Sequence, residues 1–177
     1  GEAFDKGAKI LGLKYPGGPE IEKQSNGGNP NKYKFPRPSV KKCKYSFSFS
    51  GLKTSLLYKC REMSSYEISN SMQDLCASYQ EAIIDTLVNK LDLVINEKNI
   101  YNISIAGGVA ANLRFRFKVN LLLNKYPNLQ IFFPKIELCT DNAAMIAAAG
   151  YHKILAGHKS SYDLKANPNL SLDNSRI

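Results

Sequence analysis

The order of apolar segments predicts an α/β fold with parallel strands, on three observations. An apolar stretch, Ile103–Ala106, breaks at Gly107-Gly108 and runs into a helical pattern over Ala110–Lys125. A second short apolar stretch, Leu129–Phe133, follows that helix and stops before Pro134. A further helical pattern covers Asp141–Leu155, so the second half of the chain alternates strand and helix.

Taken in order, Glu2–Leu13 reads as a helix, with Ala3, Phe4, Ala8, Ile10 and Leu11 on one apolar face and a stop at Gly12. Tyr15-Pro16-Gly17-Gly18-Pro19 is a breaker loop, and Ile21–Gln24 starts a short helix. The segment Ser25–Pro38, rich in Pro, Gly and Asn, is expected to stay outside the core. Tyr45–Ser50 alternates aromatic and small polar residues, the two-residue period of a half-buried strand, and Gly51 ends it. Over Tyr66–Glu97, Ile68, Met72, Leu75, Tyr79, Ile83, Leu87, Leu91 and Val94 recur at three- and four-residue steps, a stretch long enough for two helices. The helix over Asp141–Leu155 is apolar on nearly every side, which predicts burial. No internal repeat is evident. Ser160–Ile177 reads as an extended polar tail.

At 177 residues, 44% hydrophobic and 22% charged, the chain has the composition of a globular domain with a real core. Its longest apolar run, Ala143–Ala149, is far short of the ~20 residues a membrane span needs. The net charge of +9 favours an anionic partner such as RNA. Most of the basic residues are Lys, however, so the Arg forks that read phosphate are scarce. Cys43, Cys60, Cys76 and Cys139 form no C-x-x-C pair, which argues against a zinc ribbon and for free thiols in a reducing compartment, cytoplasmic or organellar. His152 and His158 lie too far apart for one helical turn and read as surface residues. The first residue is Gly1, which suggests a processed or partial chain.

Two segments carry the candidate chemistry. At Gly107-Gly108 the strand turns into a helix, and glycine there lets a ligand approach the backbone closely. The N–H groups of the following helix start would suit an anionic or nucleotide ligand. Cys139-Thr140-Asp141-Asn142 sets a carboxylate at the head of the last helix. Thr140 or Asp141 could equally be a helix N-cap, and the Gly pair a simple tight connection.

Six motifs occur in one order: Gly1-Glu2-Ala3-Phe4-Asp5-Lys6, Tyr15-Pro16-Gly17-Gly18-Pro19, Phe35-Pro36-Arg37-Pro38, Phe47-Ser48-Phe49-Ser50-Gly51-Leu52-Lys53-Thr54, Gly107-Gly108-Val109-Ala110-Ala111-Asn112 and Cys139-Thr140-Asp141-Asn142. In this register the chain resembles the TsaD family of tRNA threonylcarbamoyladenosine transferases, formerly called glycoproteases, from Gly1 to about Leu172. The resemblance implies one lobe of an actin/Hsp70/sugar-kinase-like (ASKHA) fold with added helices. Residues 1–159 would be the C-terminal, nucleotide- and substrate-binding lobe and 160–177 the tail, with the family's N-terminal lobe and its His-x-x-x-His metal pair lying outside this sequence.

The implied activity is transfer of a threonylcarbamoyl group from threonylcarbamoyl-AMP to the exocyclic amine of adenosine 37, in tRNAs reading ANN codons. By position, Asp5, Gly18, Glu22 and Asn112 match substrate-binding residues and Asp141 a metal ligand, with Gly107 and Gly108 forming the nucleotide loop. Ionised carboxylates accept hydrogen bonds only, which suits ribose hydroxyls, and a hard oxygen such as that of Asp141 suits a divalent ion. The resemblance also implies a divalent metal ion (Fe2+ or Zn2+), an adenylate or ATP-type nucleotide, tRNA as acceptor, and the partner proteins TsaB and TsaE, with no membrane. On this reading the chain by itself is inactive. A non-catalytic nucleotide-binding or scaffolding half-lobe is the alternative. A metalloprotease ranks last, since no protease nucleophile, zinc helix or general base is evident.

Overall fold

The helix α5 (Met72–Lys98) organises the first of two units in the structure, a computed structural model that describes residues 1–40, 43–163 and 165–167. The chain divides into two compact units, Gly1–Cys139 and Thr140–Ile177. In the first, α5 is buried on every side from Leu75 to Ile84 because two apolar clusters share it. One holds Phe4, Ile21, Leu52, Leu56, Leu75 and Tyr79, and brings in α1 (Glu2–Ile10), α2 (Gly17–Gln24) and α3 (Leu52–Arg61). The other holds Ile84, Val88, Ile95, Phe115, Val119 and Leu122, and brings in α6 (Leu113–Lys125). Each large side chain so buried stabilises the fold by about 1.5–3 kcal/mol.

Tyr79 shows how tightly the first cluster is built. Its side chain is fully buried, its hydroxyl donates to the Ala3 carbonyl at 2.9 Å, and its ring meets Phe35 edge-on at 5.6 Å. Gly7 lies under the ring, where a Cβ would fall 2.2 Å from Cε1. Helices α1 and α2 approach as closely at Gly17, where a Cβ would stand 2.6 Å from the Asp5 Cα.

Beyond α5, β1 (Asn102–Ser104) pairs in parallel with β2 (Gln130–Phe132), in the register Asn102–Gln130, Ile103–Ile131 and Ser104–Phe132. A 3-10 turn over Gly108–Ala111 and then α6 form the crossover, so the expected parallel α/β unit is present. Between α3 and α5, the short α4 (Ser65–Asn70) starts at a reciprocal cap between Ser64 and Glu67, and a break at Ser71 separates it from α5. The stretch read over Tyr66–Glu97 is therefore two helices.

Several expectations fail, each for a local reason. Tyr45–Ser50 is not a strand; Phe47 makes only an isolated bridge to Ser39. Helix α3 follows it, headed by Gly51 at φ 81°, in a stretch without a marked apolar periodicity. The loop over Ser25–Pro38 is not outside the core, because Phe35 is buried and the Tyr33 N–H is held by Ser78 Oγ at 3.1 Å. Helix α2 begins at Gly17 rather than Ile21, since Pro19 in the first helical turn has no partner for an N–H to lose.

In the second unit, α7 (Ala143–Leu155) is capped by Asn142, whose Oδ1 accepts from Met145 N at 3.0 Å. Neither Thr140 nor Asp141 is the cap. Nor is α7 buried: Ile146, Ile154 and Leu155 are each about two-thirds exposed. An all-round apolar helix needs neighbours on every side, and this unit has no second helix among its described residues. Residues 160–163 and 165–167 form no helix or strand, whereas the rest of the expected tail, 164 and 168–177, lies outside the described residues. Among the described residues, no helix is long and apolar enough to cross a membrane.

Candidate functional site

The head of α6 gathers residues from three distant segments. Asn112 is its N-cap, and Asn112 Oδ1 accepts from Phe115 N at 2.9 Å. Glu22, near the end of α2, reaches the same helix start and accepts from Leu113 N at 2.6 Å. Two of the four N–H groups that a helix leaves free at its start are thereby satisfied by protein oxygens. The turn after the Gly pair leads first into the 3-10 segment, and the start of α6 is partly engaged by protein oxygens, at Leu113 N and Phe115 N.

Behind the helix start, the Asn112 side chain donates through Nδ2 to Gln80 Oε1 at 2.7 Å. Gln80 Nε2 donates to Ser25 Oγ at 2.9 Å, and the Ser25 hydroxyl donates to the Glu22 carbonyl at 2.7 Å. With the Glu22 carboxylate on Leu113 N, the links close into a ring through α2, α5 and α6. Gln80 and Asn112 are both buried, so every polar atom they place inside must be matched.

Beside the ring lies a cleft of about 430 Å³, lined by Glu22, Ser25, Gln80, Glu81, Leu113 and Arg114. That volume falls in the range of small-ligand sites. Burial pushes the Glu22 carboxyl up from its usual range, against the opposing pull of the Leu113 N–H. Glu81 is pushed the same way by burial, but Arg114 and Lys118 overcome that and hold it below the ordinary carboxylate value. Arg114 grips Glu81 with two N–H groups, at 2.8 and 2.9 Å, and Lys118 reaches Glu81 at 2.6 Å and also Asp85. The cleft thus offers a carboxylate acceptor and a fixed guanidinium on rigid helices.

Asp5, on α1, and Gly18, on α2, lie off this cleft. Asp5 Oδ1 accepts from Gly17 N at 2.8 Å, at the start of α2. Five residues of helix rise separate Gly17 from Glu22, about 7 Å, a span a nucleoside can cover. Gly18 has open space where a Cβ would be, unlike its neighbour Gly17. Gly107 adopts φ 94° with ψ 169°, which only glycine takes without strain. Just past that turn, Arg116 Nε donates to Ala110 O and Nη2 to Pro134 O, both at 2.6 Å. The guanidinium also lies 3.3 Å from Cys139 Sγ and stacks on Phe133, tying the turn to the end of β2.

A larger cavity of about 930 Å³ opens beside β1, but Phe47, Phe49, Ile83, Leu87 and Ile103 wall it, and none of the predicted site residues lines it. Asp141 belongs to the second unit and is exposed. Catalytic metal sites use about three protein ligands. No group of three His, Cys, Asp or Glu side chains able to hold an ion occurs among the described residues, so these residues by themselves do not complete a metal centre.

Gln80, Ser25, Glu81 and Arg114 were not singled out by sequence. One signal was there: Ser78, Gln80 and Glu81 interrupt an otherwise apolar run on a helix buried all round, where polar side chains need partners.

The family described as TsaD, tRNA N6-adenosine threonylcarbamoyltransferase, matches residues 1–148. A tRNA N6-adenosine threonylcarbamoyltransferase of Thermotoga neapolitana is 46% identical over 172 residues, covering 97% of this chain and 51% of its own length. Its counterpart from Fervidobacterium nodosum is 46% identical over 172 residues, covering 96% and 50%. That of Kosmotoga olearia is 48% identical over 172 residues, covering 97% and 50%. The chain spans about half the length of the curated relatives it matches.

Proposed function

The chain belongs to the TsaD family, tRNA N6-adenosine threonylcarbamoyltransferase, and on that premise we propose that it is the donor-binding part of a tRNA-modifying acyltransferase. Residues 1–159 are its C-terminal lobe, of the α/β kind found in ASKHA folds. The observation that carries the reading is the convergence of Glu22 and Asn112, ninety residues apart in sequence, on one helix start beside a polar cleft.

In the proposed reaction, the exocyclic nitrogen of adenosine in tRNA attacks the carbamoyl carbon of threonylcarbamoyl-AMP. A C–N bond forms, the C–O bond to phosphate breaks, AMP leaves with the electron pair, and the nitrogen loses one proton. The mixed anhydride brings its own good leaving group, so holding the donor in place is the chain's main contribution. Glu22 accepts from hydroxyl groups of the donor's nucleoside, while Asp5, at the other end of α2, and the open face of Gly18 extend the same wall. The Gly107-Gly108 loop adds close backbone contact. Asp141 would supply one oxygen to a divalent ion whose remaining ligands lie outside this chain. Acceptor tRNA and the partners TsaB and TsaE follow from the family resemblance, and the positive net charge is consistent with an RNA acceptor.

One observation favours the second reading, a scaffolding half-lobe: the Asp5 and Glu22 carboxylates already serve helix N–H groups. Calorimetric titration of the chain with threonylcarbamoyl-AMP and with ATP separates the two. Saturable binding that Glu22→Gln weakens by about ten- to a hundredfold, the worth of a hydrogen bond to a charged group, supports the donor site. No binding, or binding indifferent to Glu22, supports the scaffold.

A further inference from the structure

We propose that Gln80 is a positioning residue of the donor cleft: it fixes which way the Asn112 amide faces, and through it the shape of the cleft. The inference rests on the donor-site reading for its consequence but not for its geometry. An Asn or Gln side chain has two ends of opposite hydrogen-bonding sense and nearly equal size, so orientation must be imposed by neighbours.

Here the sense is imposed from the backbone outward. The Glu22 carbonyl can only accept, so it takes the Ser25 hydroxyl proton. Ser25 Oγ is then left to accept, which turns the Gln80 amino group toward it and the Gln80 carbonyl toward Asn112. That carbonyl takes the Asn112 amino group, which leaves Asn112 Oδ1 to cap Phe115 N. Reversing Asn112 alone would set its amino group against the Phe115 N–H and its oxygen against Gln80 Oε1, two mismatches among buried groups. The same ring brings Leu113 N onto Glu22 Oε1. Glu22 Oε2 accepts from no group among the described residues and remains for a ligand. Gln80 is 5% exposed and sits where α5 is buried on every side, which suits it to set the position of its neighbours.

Gln80→Leu and Gln80→Glu, made in this chain, test the proposal because the two roles rank them oppositely. A residue that merely fills space would tolerate Leu, of similar size, and suffer from a buried carboxyl. A positioning residue tolerates Glu, whose Oε1 still accepts from Asn112 while its other oxygen donates to Ser25 Oγ when protonated or takes the Ser25 hydroxyl proton when ionised, and fails with Leu. Proton exchange of the Asn112 side-chain amide, read by NMR, should speed up by about tenfold or more in Gln80→Leu and stay near wild type in Gln80→Glu, the loss expected for one hydrogen bond. ATP affinity should follow the same order. Should Gln80→Leu fail to fold, Ser25→Ala removes the group that orients Gln80 and should speed exchange of the Asn112 amide in the same direction.

An Asn112 amide unchanged in Gln80→Leu and in Ser25→Ala overturns the proposal. So does a disturbed amide with unaltered ATP affinity, since Gln80 would then shape nothing a ligand feels. If the wild-type chain does not bind ATP, the donor-site reading fails instead, and the exchange measurement alone decides the orientation claim.

Discussion

Two adjacent glycines in Tyr15-Pro16-Gly17-Gly18-Pro19 should behave in opposite ways when each is changed to Ala. A Cβ on Gly17 would stand 2.6 Å from the Asp5 Cα, 2.7 Å from the Phe4 carbonyl oxygen and 2.8 Å from the Ala8 Cβ. Two of those neighbours are backbone of α1, so α1 and α2 must move apart. Overpacking of this kind costs about 1–3 kcal/mol. Separation also weakens the 2.8 Å hydrogen bond from Gly17 N to Asp5, a charge-assisted contact worth about 1.5–3 kcal/mol when lost outright. A total near 2–4 kcal/mol is expected for Gly17→Ala. Gly18 has no heavy atom within 4 Å of the same position. Gly18→Ala should leave stability unchanged or raise it by up to about 1 kcal/mol, from the smaller backbone entropy lost on folding. Urea unfolding followed by circular dichroism reads both. With a slope of about 1–3 kcal/mol per molar, Gly17→Ala should lower the midpoint by about 1–2 M while Gly18→Ala does not. ATP affinity should fall in Gly18→Ala, whose methyl enters the space assigned to the donor. Equal midpoints for the two variants would refute the close-approach argument.

The remaining expectations concern charge and capping. Glu81, held below its ordinary value of 4.5, stabilises the fold above that pH and loses this contribution as pH falls through its lower folded value. Glu81→Gln should therefore cost about 2 kcal/mol at neutral pH, below a fully buried pair because Arg114 is a third exposed, and a guanidinium titration at several pH values should show a flatter acid decline. Asn142→Ala should lower the stability of α7 by about 1 kcal/mol, the worth of an N-cap, whereas Asp141→Ala should leave it unchanged; hydrogen exchange over α7 distinguishes them.

How much of this was legible in the sequence depended on whether the signal was local. The helices α5 and α6 follow from periodicity, because their apolar faces are read within a single window, and the strands β1 and β2 from short apolar runs on either side of α6. Tyr45–Ser50 carried the strand period but lacks a partner along its length, and pairing is a tertiary fact that a period cannot supply. Helix α3 was missed because Leu52 and Leu56 are its only fully buried apolar residues, with polar residues between them. At the site, Glu22 and Asn112 follow by position from the family resemblance and both engage the start of α6, but Asp5 serves the start of α2 and stands off the cleft. Gln80 and Ser25 could not be placed, since what singles them out is the ring they close across three helices.

If this chain does the donor-binding work of a tRNA threonylcarbamoyltransferase, as proposed, it should replace the corresponding part of a relative. The most direct measurement replaces the matching half of the Thermotoga neapolitana relative with this chain. The chimera is incubated with threonylcarbamoyl-AMP, unmodified tRNA and that organism's partner proteins, and the modified nucleoside is quantified by mass spectrometry. Threonylcarbamoyladenosine is expected at levels within about tenfold of the parent enzyme, falling at least tenfold further with Glu22→Gln, the cost of about 1.4 kcal/mol of lost binding. A folded chimera that binds ATP and forms no threonylcarbamoyladenosine would overturn the donor-site reading.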